Sequence, residues 1–199
     1  MLTVIIWING AFGAGKTQTA YELHRRTTQS YVYDPENAGY FIRKNVPVSI
    51  REKDFQDYPM WRECNYQMLK HLDETYEGIV IAPMTIVNPQ YFDEIIGRLR
   101  DDGVTVHHFS LCATEETLKK RLRGRGEKSH SWAEQQIKRC VTALSDDKFH
   151  THLDTNRTTV SDNAERIASM SNIVLSQDSR GPIKKAYDRV LTQVKHIRF

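Results

Sequence analysis

The sequence has few cysteines, no long apolar segment and little net charge. Its three cysteines form no CxxC pair and have no histidines at ligand spacing, which argues against a disulfide framework or a zinc site and for a reducing compartment. No stretch approaches the roughly 18 apolar residues that a membrane-spanning helix needs. The net charge of +3 gives no reason to expect a nucleic-acid partner. We therefore expect a cytoplasmic protein, with attachment to a membrane surface as the alternative.

The chain of 199 residues has room for one domain, and strand-like and helix-like segments alternate along it. Short apolar runs predict buried strands at 4–8, 31–33, 78–82, 104–111 and 149–154. Helical patterns and caps predict helices at 17–26, 58–76, 89–102, 114–126, 132–144 and 161–170. This alternation predicts a three-layer α/β fold with a five-stranded, mainly parallel sheet.

Residues 10–17 match the phosphate-loop pattern G-x-x-x-x-G-K-[ST] in full, and we call them the P-loop segment. The match follows a predicted strand and opens a predicted helix, which is the context that such a loop requires. In a P-loop the backbone N–H groups point at the β-phosphate, Lys16 bridges the β- and γ-phosphates, and the Thr17 hydroxyl ligates Mg²⁺. We predict ATP and Mg²⁺ as ligands. The predicted nucleotide-binding residues here are Gly10, Ala11, Phe12, Gly13, Ala14, Gly15, Lys16, Thr17 and Gln18.

Two absences narrow the class of P-loop protein. There is no NKxD motif, which counts against a GTPase, and no acidic residue ends the third predicted strand, which counts against a large ATPase motor. A small kinase is favoured, and such an enzyme needs a base for the acceptor hydroxyl. Asp34 is the candidate, because it ends the second predicted strand, where ligands bind in open α/β sheets. The alternative is that Asp34-Pro35 is only a turn signal.

An arginine-rich stretch at 121–125 is the candidate for a mobile lid. Arg121 and Arg125 lie on one helical face, and the glycines at 124 and 126 permit a hinge. Arginines can stabilise the charge that develops on a transferring phosphoryl group, and Arg139 could reach back from the next helix. The alternative is a solvated basic helix end. We also predict Thr155 and Asn156 beside the adenine, because they follow the fifth predicted strand.

The insertion at 54–65, between the second and third predicted strands, is the usual place for the acceptor in small kinases. Aromatic residues there could stack on a ring, although aromatics at helical spacing are more often core residues. The predicted substrate-binding residues are Asp34, Phe55, Tyr58, Trp61, Arg62 and Met84.

The C-terminal segment 182–199 reads as a basic amphipathic helix, separate from a P-loop domain at 1–176. Its apolar stripe consists of Ile183, Ala186, Tyr187, Val190, Leu191, Val194 and Ile197. The basic residues that lie largely off this stripe are Lys184, Lys185, Arg189, Lys195 and Arg198. The helix could pack on the domain or lie on an anionic membrane surface.

Several segments together resemble the bacterial tunicamycin-resistance proteins, a family of ATP-binding, nucleotide-kinase-like P-loop proteins. The segments are 7–20, 31–36, 82–87, 94–100 and 121–125. The resemblance implies a P-loop kinase-like fold and resistance to tunicamycin, a lipid-tailed uridine nucleoside, with dependence on ATP binding. It also implies membrane association through the C-terminal helix.

Three functions remain open from the sequence. The first is an ATP-dependent kinase that phosphorylates a tunicamycin hydroxyl, with Asp34 as base and with Lys16, Arg121, Arg125 and Mg²⁺ stabilising the transition state. The second is an ATP-dependent protein that sequesters the drug without turnover. The third is a kinase for another nucleoside or a sugar acid. The sequence leaves the oligomeric state and the modified hydroxyl open.

Overall fold

A five-stranded sheet forms the centre of the protein, in a computed structural model that describes residues 3–195 (the Lys195 side chain excepted). The strand order is β2-β3-β1-β4-β5, and every pairing is parallel. The strands are β1 (Val4–Gly10), β2 (Ser30–Val32), β3 (Ile79–Pro83), β4 (Val106–Cys112) and β5 (His152–Asp154). The predicted parallel α/β sheet is therefore confirmed.

Helices connect the strands. They are α1 (Lys16–Arg26), α2 (Glu36–Asn45), α3 (Pro59–Thr75), α4 (Pro89–Phe92), α5 (Arg98–Asp101), α6 (Glu115–Arg123), α7 (Trp132–Leu144), α8 (Val160–Met170) and α9 (Pro182–Lys195). A π-helical segment, Asp93–Gly97, joins α4 to α5, and 3₁₀ turns lie at Val48–Ile50, Phe55–Asp57 and Asp147–Phe149. Two caps that the sequence predicts are present, since the side chains of Asn88 and Ser131 accept from the N–H groups of Gln90 and Glu134.

The sequence analysis missed one helix, α2. Gly39 lies inside it, and glycine lowers helix propensity by about 1 kcal/mol, so the local pattern is weak. The structure supplies the reason for the glycine. A Cβ at position 39 would lie only 2.5 Å from the ring of Phe55, so the absence of a side chain lets this ring pack against the helix.

Two apolar cores cover the two faces of the sheet, and alternate residues of β1 divide between them. Ile5 and Trp7 point into one core, which also holds Trp61 and Leu69. Ile6 and Ile8 point into the other, which includes helices α1, α7 and α8. The side chains of these β1 residues are fully buried, so the protein has three layers, as the continuous apolar run predicts.

The segment before α9 is joined to α1 by an ion cluster centred on Arg180. Its guanidinium pairs with Asp178 at 2.7 Å, with Glu22 of α1 at 2.5 Å and with Asp188 of α9 at 2.9 Å. The hydrogen bonds from Arg180 hold the pKa of Asp178 well below its usual range. This cluster fixes the orientation of α9 on the domain.

That orientation turns the apolar stripe of α9 outward. Asp188 and Thr192 are buried toward the domain, whereas Ile183 is 86% exposed and Val190 and Val194 are each 61% exposed. The helix thus packs on the domain, but through its polar side. The predicted stripe and basic set extend to Ile197 and Arg198, which lie outside the described residues, as does the side chain of Lys195. Among residues 3–195, no helix is both long and apolar enough to cross a bilayer.

Candidate active site

A cavity of about 950 Å³ opens at the carboxyl ends of β1 and β3. This is the edge at which open α/β sheets bind their ligands. Its walls come from the P-loop segment, the first turns of α2, and residues 54–56, 83–85, 125–133, 139–140 and 192–193. The cavity therefore joins the predicted phosphate site to the predicted acceptor and lid regions.

The P-loop segment has the backbone that phosphate binding requires. Gly13 and Gly15 have φ angles of 85° and 100°, in the left-handed region that favours glycine. A Cβ at position 13 would also lie 2.9 Å from the carbonyl oxygen of Leu118. α1 begins directly after the loop, at Lys16, and the first N–H groups of a helix have no partners within it. These groups and the helix dipole suit an anion, so the loop fits a nucleotide phosphate.

The Lys16 ammonium lies inside the curve of this loop. Its Nζ donates to the carbonyl oxygens of Gly10 at 2.9 Å and Ala11 at 3.3 Å, and it lies 5.5 Å from the ring centre of Phe12. Burial lowers the pKa of Lys16 to about 8, and the negative charge of Glu36 partly opposes this change. Lys16 is thus a cation in a desolvated site, where an incoming phosphate would bind strongly.

A buried amide holds the start of the loop against the segment after β3. Asn9 Oδ1 accepts from the N–H groups of Gly10 at 2.8 Å and Ile86 at 3.0 Å, and Nδ2 donates to the Ile86 carbonyl at 2.8 Å. Asn9 Nδ2 also lies 3.2 Å from Nε2 of His108. Burial lowers the pKa of His108 to about 4, so this ring is neutral and Nε2 can accept.

Three carboxylates and several cations line the rest of the cavity. Glu36 accepts a hydrogen bond from the Tyr40 hydroxyl at 3.0 Å, and Asp54 lies 3.8 Å from the guanidinium of Arg139. Arg125 contributes from the segment between α6 and α7. Burial lowers the pKa of the Arg125 guanidinium. The cavity can therefore hold a polyanion and a polar acceptor side by side.

No group of three or more His, Cys, Asp or Glu residues among the described residues could hold a metal ion. Thr17 lines the cavity directly after Lys16, where its hydroxyl can serve as one ligand of Mg²⁺. The residues present fit an ion held mainly by the nucleotide phosphates and water, which is how Mg²⁺ usually binds in phosphoryl-transfer sites.

Residues 5–150 match the family described as an AAA domain. The tunicamycin resistance protein of Deinococcus radiodurans is 33% identical, with 88% of this chain and 99% of that chain covered and a TM-score of 0.76. The chain therefore belongs to the AAA domain family and to the tunicamycin-resistance proteins. No curated protein sequence matches the chain.

More distant structures share the fold of this tunicamycin-resistance family member. A sugar kinase from a Janibacter species is 18% identical, with 86% and 96% of the two chains covered and a TM-score of 0.62. The Mycobacterium tuberculosis APS kinase, in complex with AMPPNP and APS, is 12% identical, with 85% and 98% covered and a TM-score of 0.56. At these identities the likeness shows the fold, which is that of P-loop kinases.

The predicted nucleotide-binding residues divide into two groups. Phe12, Gly13 and residues 15–18 line the cavity, while Gly10, Ala11 and Ala14 form the loop behind them. Arg121, Thr155 and Asn156 lie outside the cavity. Arg121 donates to the Thr155 hydroxyl at 3.2 Å, and Thr155 is fully buried. Asn156 accepts from the N–H of Thr114 at 2.9 Å, so in this conformation these side chains connect α6 to the loop after β5.

Asp34 also lies outside the cavity wall. Its Oδ1 accepts from the N–H of Glu36 at 3.0 Å and so holds the first turn of α2. Glu36, two residues later, lines the wall. The structure therefore brings a second carboxylate, which the sequence analysis did not select, into the region predicted for the base.

Of the other predicted substrate residues, Phe55 and Met84 line the cavity and three do not. The Tyr58 hydroxyl accepts from the N–H of Glu52 at 2.8 Å. Trp61 is fully buried, and its Nε1 donates to the carbonyl of Pro35 at 3.0 Å. Arg62 is buried in an ion pair with Glu94. We leave Tyr58, Trp61 and Arg62 out of the proposed site because their polar atoms already have partners in the core.

Sequence reasoning also missed wall residues that belong to no motif. They include Glu36, Tyr40, Asp54, Gln56 and Trp132. The sequence held one usable signal, since Glu36 follows Asp34-Pro35 in a segment that carries the family resemblance.

The C-terminal helix α9 also contacts the site. Gln18 Nε2 donates to the carbonyl of Arg189 at 2.9 Å, and Gln193 Nε2 donates to that of Arg125 at 3.3 Å.

Proposed function

We propose that this protein is an ATP-dependent phosphotransferase that phosphorylates a hydroxyl of tunicamycin and thereby inactivates the drug. The observation that carries the proposal is that one cavity connects the P-loop lysine to a wall of carboxylates and aromatic rings. The 33% identity with the D. radiodurans tunicamycin resistance protein supports tunicamycin as the substrate.

In the proposed reaction the acceptor oxygen attacks the γ-phosphorus of ATP. The bond to the β-phosphate oxygen breaks, ADP leaves, and the hydroxyl proton passes to a carboxylate. Bound Mg²⁺, held by Thr17 and the phosphates, would neutralise charge on the phosphate oxygens. Lys16 and Arg125 would stabilise the charge on the transferring group, and Arg121 would join them if the lid closes. Thr155 and Asn156 stay as the predicted adenine contacts.

Two carboxylates at the start of α2 are candidates for the base. Asp34 is the residue that the sequence predicts, and Glu36 is the one that lines the cavity. Asp34→Asn and Glu36→Gln each replace a carboxylate with an amide of the same shape, so the variant that loses kcat at saturating ATP identifies the base. Equal loss in both would mean that the two carboxylates act together.

The reaction is tested by mass spectrometry of tunicamycin incubated with the purified protein, ATP and Mg²⁺. A gain of one phosphate, about 80 Da, is expected, and it should disappear with Lys16→Ala. An unchanged drug mass together with saturable, ATP-dependent drug binding would overturn the kinase and make the protein a sequestering one. Phosphorylation of other nucleosides or sugar acids, but not of the drug, would instead identify a small-molecule kinase.

We also propose that α9 lies on the anionic inner surface of the cell membrane. The stripe that includes Ile183, Val190 and Val194 faces outward, and basic residues flank it, as in helices that bind membrane surfaces. The double variant Val190→Asp/Val194→Asp should abolish co-sedimentation with anionic vesicles. Val174→Asp, which changes a residue that is 89% exposed and lies off α9, is the matched control. Equal binding by both variants would contradict the proposal.

A further inference from the structure

One tryptophan of this protein is exposed, and it stands at the cavity. Trp132 is 57% exposed, whereas Trp7 and Trp61 are fully buried. Trp132 is the first residue of α7, directly after its capping residue Ser131, and its side chain lines the cavity wall. Trp132 belongs to neither of the two apolar cores among the described residues.

Trp132 is held in place by an aromatic partner from the P-loop segment. The ring centres of Trp132 and Phe12 are 5.1 Å apart, with an angle of 75° between the ring planes. In such an edge-to-face pair at most one face of the indole is covered by the partner. An accessible aromatic face at the cavity is suited to stack on a flat ring of a ligand.

The position of the pair indicates which ligand supplies that ring. The predicted adenine residues, Thr155 and Asn156, lie outside this cavity. The pair lines the same cavity as a second aromatic pair, Tyr40 and Phe55, whose ring centres are 6.0 Å apart in the predicted acceptor region. Asp54, next to Phe55, forms an ion pair with Arg139 of α7. The predicted acceptor region therefore contacts the helix that carries Trp132.

We propose that Phe12 and Trp132 form a stacking site for the uracil ring of the acceptor. This proposal rests on the proposed function, because it assumes a uridine nucleoside in the cavity. The proposal makes Trp132 a residue that sets the specificity for the acceptor. A sugar acid has no aromatic ring that could stack on the indole, so Trp132 favours a nucleoside acceptor.

The test measures binding and requires no turnover. The full-length protein is saturated with a non-hydrolysable ATP analogue, and uridine or tunicamycin is added while tryptophan fluorescence is recorded. Because Trp132 is the exposed tryptophan, the ligand should change its emission and protect it from acrylamide quenching. Trp132→Ala should bind tunicamycin at least about 10-fold more weakly by calorimetry, and Trp132→Phe should keep most of the affinity. The affinity for the ATP analogue should stay within about twofold, since Trp132 belongs neither to the P-loop segment nor to the predicted adenine contacts.

Phe41→Ala is the matched control, because Phe41 has an exposed ring that does not line the cavity. This variant should bind tunicamycin with the affinity of the wild type. The proposal is overturned if Trp132→Ala binds tunicamycin as the wild type does, if its affinity for the ATP analogue falls instead, or if the wild type binds neither uridine nor tunicamycin. A wild type that binds the drug through Trp132 but leaves its mass unchanged would support this site and overturn the kinase.

Discussion

ATP should bind more weakly as the pH rises from 7 to 9, because Lys16 loses its proton in this range. Burial lowers the pKa of Lys16 to about 8, whereas an unperturbed lysine titrates near 10.4. The neutral amine lacks the charge that attracts the phosphates. The Glu36 carboxylate opposes the effect of burial, and this helps Lys16 to stay charged at pH 7.

The size of the effect follows from the titration. A lysine with a pKa of about 8 is about 90% charged at pH 7 and about 10% charged at pH 9. If only the charged form binds, the affinity falls about tenfold, or about 1.4 kcal/mol. The bound triphosphate raises the pKa of Lys16, since an opposite charge favours the ammonium. Binding should therefore take up about half a proton at pH 8 and close to one proton at pH 9.

Isothermal titration calorimetry at several pH values, in two buffers of different ionisation enthalpy, measures both the affinity and the proton uptake. The second pKa of a phosphate monoester lies near 6, so the charge of the ligand changes little over most of this range. Lys16→Arg is the control, because a guanidinium stays charged throughout. Glu36→Gln should move the loss of affinity to lower pH, because it removes the charge that raises the pKa of Lys16.

Equal affinity at pH 7 and pH 9, without proton uptake, would refute this reasoning. A tenfold fall in the Lys16→Arg protein would assign the titration to another group.

Three changes outside the cavity have clear expected outcomes. Arg180→Ala should lower the free energy of unfolding by about 2 kcal/mol in urea, since three carboxylates lose their shared cation, and exposed Arg43→Ala should not. The wild type should lose part of this stability as the pH falls below about 4, because Asp178 and Asp188 have lowered pKa values when folded, and Arg180→Ala should show a smaller loss. Trp61→Ala should lower the free energy of unfolding by about 3–5 kcal/mol, because Trp61 is a core residue. A variant that binds the drug more weakly but is as stable as the wild type would contradict this assignment. Asn9→Ala should lower the free energy of unfolding by about 1–3 kcal/mol and weaken ATP binding. An unchanged ATP affinity would contradict the role of Asn9 in holding the P-loop segment.

The fold could be predicted in large part because its signals are local. Continuous apolar runs predict buried parallel strands, and caps such as Asn88 and Ser131 mark where helices begin. α2 was missed because Gly39, which weakens the helical pattern, is required by contact with Phe55, a residue 16 positions away. Local propensity cannot record such a contact.

The sequence by itself determined where the P-loop segment lies. Its glycines, lysine and threonine are close together in the chain, so their roles depend on local backbone conformation. It also determined the amphipathic pattern of α9. Only the tertiary structure decided which side of α9 faces the domain, because that choice depends on the ion cluster of Arg180 with residues of three segments. The same holds for the cavity wall. Whether an aromatic residue is a core residue, as Trp61 is, or faces a ligand, as Trp132 does, depends on which segments fold against it. Both residues are tryptophans in the first turn of a helix, and burial is a property of the assembled molecule.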